Sequence, residues 1–211
     1  MRMRKQDDEN IFLKMIYTLS DMGVISILWM IGCLPIITIG ASTTALFYVA
    51  DKKVSGKESK ILFDFIKSYK QNFVQSLLVT VILGVLWFSA TIYLMMGYSF
   101  LQQGFSLSLF ILVVIVFEVM MLSFYMCALL AKYELKTIML IKNSFLFTHA
   151  YLLESIKAFG VIIAMLFSLV MIPGLLIILP AAIALTASHY IRQSILKFLD
   201  RKDVLNELEE V

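Results

Sequence analysis

Charge is missing from three long stretches of this 211-residue chain, and that limits its fold more than any motif does. No Asp, Glu, Lys or Arg falls between Met22 and Ala50 or between Ala158 and Ile191, and Gln71 to Ala131 carries only Glu118. Uncharged apolar runs beyond about 18 residues are long enough to cross a bilayer as helix. Composition agrees, with 61% hydrophobic and 16% charged residues. A soluble domain is about half apolar and a quarter charged. The expected class is an all-α polytopic membrane protein, 1–211 forming a single integral domain.

The basic residues set the expected topology. All 18 Lys and Arg lie within 1–14, 51–70, 132–157 and 192–202. Basic loops stay on the cytoplasmic side, so these stretches and both termini are expected there. Each apolar block must then leave and come back. The result is three helical hairpins with five or six membrane segments, about 11–34, 41–54, 73–96, 108–131, 156–172 and 175–198. The segment 41–54 is short, and either crosses with local thinning or stays re-entrant. Outer loops at 35–40, 97–107 and 173–174 are short and uncharged. Asn10 is a candidate N-cap for the first helix. No small-residue cleavage site follows the charged start, so the first segment is expected to remain as an anchor. Residues 58–70 and 133–154 read as cytoplasmic or interfacial amphipathic helices. For 58–70 a solvated extension of the next span fits equally well.

Two interruptions mark turns. Pro35 lacks an N–H and clashes with the turn before it, so the first helix should stop near Leu34. Gly40 allows backbone angles that other residues resist. Thr38, Ser42, Thr43 and Thr44 offer hydroxyls to the backbone groups such a break sets free. A helix restarting near Ala41 would aim its positive N-terminus at the break. Broken helices of this kind line binding sites in some transporters, and they are also how a chain turns round within a membrane. Pro173-Gly174 cuts the last apolar block in the same way, and Pro180 is placed to kink the helix after it. Gly160, Ala164 and Ser168 form a stripe of small residues that would let helices approach closely.

Glu118 is the one ionisable side chain deep in an expected span. A carboxylate there costs about 2.5–3.5 kcal/mol on insertion scales for Asp at a helix centre. It can relay a proton, bind a cation or pair with a substrate group, or it can be a hydrogen-bonded residue that fixes helix packing. Thr38, Ser42, Thr43, Thr44 and Glu118 are therefore the candidate binding residues, and Pro35, Gly40, Pro173 and Gly174 the structural breaks. His149 and His189 have no ligand-spaced partner, so no metal site is expected. Cys33 and Cys127 lie in apolar segments and read as small buried hydrophobes. Hydrolase, metalloprotease and nucleotide-binding motifs are absent from the sequence, so neither enzymatic activity nor a cofactor is expected. The basic segments face anionic headgroups rather than nucleic acid.

The run Leu34-Pro35-Ile-Ile-Thr38-Ile-Gly40-Ala-Ser-Thr-Thr44-Ala-Leu-Phe-Tyr48, with Trp29 before it and Asp64-Phe65 and Asn72-Phe73 after it, resembles the YesL family of bacterial membrane proteins. That family has no assigned activity. The resemblance implies a multi-pass protein of the bacterial plasma membrane that neighbours carbohydrate import and sensing systems. Two functions are consistent with this. One is an accessory membrane protein that partners an ABC-type sugar transporter or a sensor kinase. The other is a small transporter or channel, as a homo-oligomer, with its site at 35–44 and Glu118 nearby.

Overall fold

The structure, a computed structural model, describes the backbone of residues 2–101 and 106–209, and side chains within 17–96 and 110–200. The described residues are all helical or connecting. The helices are α1 (Arg2–Cys33), α2 (Ile39–Val54), α3 (Ile61–Gln71), α4 (Phe73–Leu101), α5 (Ser106–Lys132), α6 (Thr137–Ala150), α7 (Leu152–Met171) and α8 (Leu179–Glu209). Short 3₁₀ turns, Ile36–Thr38 and Pro173–Ile177, interrupt the chain where the two prolines stand. The helix before Pro35 ends at Cys33, and the next begins at Ile39. Of the expected outer loop 97–107, residues 97–101 and 106–107 belong instead to α4 and α5, and 102–105 lie outside the described residues.

Among the described residues three helices are long and apolar enough to cross a membrane: Phe73–Met96, Phe110–Lys132 and Leu152–Met171. Much of their surface faces outward, including Val81, Phe88, Phe110 and Phe167. Water would not tolerate so large an apolar surface, whereas lipid does. This is a membrane protein by its length and composition.

The centre is α2, a short helix. Gly40, Ala41, Ser42, Thr44, Ala45, Val49 and Ala50 are all buried on it. Their small size lets α1, α3, α4, α5 and α8 close around it. One cluster joins Phe47 of α2 and Val79 of α4 to Met121, Tyr125 and Met126 of α5 and to Ile162 and Ile191. A second joins Ile25, Leu46, Val49 and Phe65 to Ala181 and Ala184 of α8. A buried polar knot ties three helices together, with the Tyr125 hydroxyl 3.0 Å from Ser194 Oγ and 3.3 Å from Ser155 Oγ.

Three expectations need correcting. Asn10 does not start the first helix, which is continuous from Arg2. Pro180 produces no kink; it is the second residue of α8, where a missing N–H costs nothing. Gly40 is regular helix and has no positive φ. Among the described residues that conformation belongs to Gly56 in the turn after α2, at φ 67°. What Gly40 provides is space. A Cβ there would stand 2.3 Å from Thr80 Oγ1 and 2.7 Å from the Ser76 carbonyl oxygen.

Candidate functional site

The break at Pro35 is built from groups that serve one another. The Thr38 hydroxyl sits 2.8 Å from the Gly32 carbonyl and 2.7 Å from that of Pro35. Ser42 donates to the Trp29 carbonyl at 2.8 Å. Thr43 donates to Ile39 at 2.7 Å and accepts from the Trp29 indole at 3.1 Å. The last turn of α1 has carbonyls with no helical partner, and the Thr38 hydroxyl supplies one to Gly32. Thr44 is wholly buried beside Cys127, and its hydroxyl makes no hydrogen bond of ordinary geometry.

The N-terminus of α2 is capped from another helix. The Gly40 N–H donates to Thr80 Oγ1 of α4 at 3.0 Å, and Thr80 in turn donates to the Ser76 carbonyl at 2.8 Å. The start of α8 repeats the device, the Ala181 N–H donating to Ser26 Oγ of α1 at 3.1 Å. An unpaired N–H in hydrocarbon costs several kcal/mol, so each interrupted helix needs such a hydroxyl.

The break does not reach the far end of the spans. Asp21 of α1 pairs with Lys53 of α2, and from Asp21 to Cys33 is a rise of only about 18 Å. Thr80 lies only about 10 Å along α4 from Phe73. The turn at 35–38 therefore sits part-way along the helices that flank it.

A cavity of about 670 Å³ opens where the two interruptions meet. Ile36, Ile39 and Gly40 come from the first break, and Leu176, Leu179 and Pro180 from the second. Trp29, Thr80, Gly84, Trp87, Ser123, Cys127 and Ile162 complete much of the wall. Among the described residues, no titratable group other than the Cys127 thiol lines it. The Trp87 indole donates to Ser123 Oγ at 3.2 Å, and Ser123 donates to the Val119 carbonyl at 2.6 Å. Of the candidate residues Gly40 and Thr43 line this cavity, whereas Thr38, Ser42, Thr44 and Glu118 do not.

Glu118 projects from the opposite face of α5 to Met120, Ser123, Phe124 and Cys127, which line the wall. Its Oε1 is 3.2 Å from His149 Nε2, and His149 Nδ1 donates to the Phe145 carbonyl at 3.0 Å. A carbonyl only accepts, so the Phe145 contact gives Nδ1 the donor role and leaves Nε2 toward the carboxylate. No residue spacing signals this partner, because His149 is on another helix.

The basic stretches converge on acidic partners at one end of the molecule. Asp51 lies 3.7 Å from Lys132 and 3.9 Å from Arg192, and Arg192 also donates to Ser55. Lys197 and Lys157 meet the buried Glu154 at 2.6 and 3.3 Å. Lys52 bonds Asp64 at 2.7 Å, with Ser59 on the other carboxylate oxygen at 3.1 Å. Burial pushes the Asp64 carboxyl up, but the bonds from Lys52 and Ser59 outweigh it and hold it below its ordinary value. The bond to Asp64 holds the Lys52 ammonium above its own. A polar cleft of about 550 Å³ lies nearby, lined by Gln71, Asn72, Gln75, Glu134 and Lys136.

The residues of the family-like run thus acquire structural roles. Trp29, Pro35, Thr38, Gly40 and Ser42 shape the break, Asp64 and Phe65 seat α3 on α2, and Asn72 caps α3 by donating to the Ser68 carbonyl at 3.1 Å. No curated protein and no solved structure matches the chain. Residues 22–94, from α1 through most of α4, match the model of a family described as protein of unknown function, DUF624.

Proposed function

We propose that the chain is an accessory protein of the bacterial plasma membrane, with no chemistry of its own, that works by packing against a partner. Both termini would lie in the cytoplasm, and the family-like run would place it in the YesL family. One observation carries this reading. The hydroxyls of Thr38, Ser42 and Thr43 and the carboxylate of Glu118 are turned onto neighbours within the chain, so little is left at membrane depth to receive a polar solute. The partner class, an ABC-type sugar importer or a sensor kinase, rests on the family resemblance alone. Capture of the tagged chain from its own membranes in mild detergent tests it. Recovery of importer or kinase subunits in fixed ratio is the expected result, and recovery of the chain alone counts against it.

The cavity at the two breaks favours a second reading, a small transporter or channel operating as a homo-oligomer. Wild-type uptake in a Glu118→Gln strain and in a Thr43→Val strain would count heavily against that.

A further inference from the structure

Helices α4, α5 and α7, the three that among the described residues are long and apolar enough to span a bilayer, wall the cavity together with residues of α1, α2 and α8. Its rim includes Ile36, Trp87, Leu166 and Leu176, all exposed. Trp87 lies about 21 Å along α4 from Phe73, roughly two thirds of a hydrocarbon thickness. What stands outside the mouth is therefore hydrocarbon rather than water.

The wall makes the same point. The Trp29, Trp87, Thr43, Thr80 and Ser123 polar atoms are already bonded within the chain. Among the described residues nothing charged lines the space. A polar ligand would give up its hydration and gain no partner. An apolar void of this size, left empty, would cost its lining the contacts that a close-packed interior makes. A volume of about 670 Å³ falls within the usual range for a binding pocket.

We propose that the two helix breaks form an intramembrane binding site for one acyl chain of a bilayer phospholipid, entering sideways from the membrane. This goes beyond the accessory reading and does not depend on it. Gly84 supports it from the mouth: it is an exposed lining residue, and nothing lies within 4 Å of where its Cβ would stand, so the entrance is kept open at this point.

The chain supplies its own probe, because its two tryptophans, Trp29 and Trp87, both line the cavity. The full chain is reconstituted in phosphatidylcholine vesicles whose acyl chains carry bromine, a short-range quencher, at mid-chain. Trp87→Phe leaves Trp29 as the reporter. Trp29 is expected to lose most of its emission, and adding Gly84→Phe or the smaller Gly84→Leu is expected to restore it. Bromine near the carbonyl end of the chain should quench less than bromine at mid-chain. Unquenched Trp29, quenching that the filled variants leave unchanged, or the reverse depth order would each overturn the proposal. Quenching by free brominated fatty acid in preference to the phospholipid would overturn the phospholipid as the source. Should both Gly84 variants fail to fold, the depth order alone decides.

Discussion

Gly40 and Gly84 are both helical glycines on the cavity wall, yet the structure asks opposite things of them. At Gly40 an added methyl meets the Ser76 backbone, which cannot rotate away. Gly40→Ala should destabilise the protein by about 1–3 kcal/mol, as overpacking does. Gly84→Ala meets nothing and should stabilise by about 0.5–1 kcal/mol, the usual gain of Ala over Gly within a helix. Thermal unfolding in detergent separates the two by sign. Thr80→Val tests the cap with little change of shape. It leaves the Gly40 N–H unpaired, and about 1–3 kcal/mol should be lost. In all these variants the effect should fall on stability rather than on helix content.

At the scale of elements, α3 depends on one ion pair. The Asp64 carboxyl is held below its ordinary value, so its contribution is present above about pH 4, where the unfolded group ionises, and fades as pH falls through the folded value. The Lys52 ammonium is held above its ordinary value, so its contribution is complete below about pH 10 and fades as pH rises through the folded value. Proteolysis between Val54 and Ile61 should thus be slow across neutral pH and faster at both extremes. Asp64→Asn should flatten the acid limb. Lys52→Met should cost about 3 kcal/mol, since it strands a buried carboxylate. Helix ends at Pro35 and Pro173 were legible in the sequence because proline acts locally. The 3₁₀ turns were not, and neither was the start of α7 at Leu152, because no residue type marks them. The candidate site was legible only in part. Thr38, Ser42 and Thr43 do bond at the break as their hydroxyls suggested. Their helix-crossing counterparts, Thr80 for Gly40, Ser26 for Ala181 and His149 for Glu118, come from distant segments. No local pattern encodes such pairings.

For the whole molecule, the α1–α2 hairpin is shorter than the spans beside it, and labelling reads that directly. In a background without Cys33 and Cys127, a cysteine at position 37 should react with a lipid-soluble maleimide and resist a water-soluble one from either side. A cysteine at position 56 should react with the water-soluble reagent only from the side that holds the basic residues. Reaction of position 37 with an external water-soluble reagent would mean that the hairpin crosses fully, as the outer-loop reading of 35–40 expected.

The cap on α8 also dictates a timetable. Ser26 leaves the ribosome early, but the amide it must receive belongs to Ala181, 155 residues later. Until α8 has been synthesised, Ser26 and its neighbour Ile25 face the space that Ala181 and Ala184 will fill. Membrane insertion of the early helices is therefore not the completion of folding, which waits for the last helix to come back to the first. A chain stopped before Leu179 should insert and yet remain open to protease within α1, while Ser26→Ala in the full chain should insert, close and merely unfold at a lower temperature.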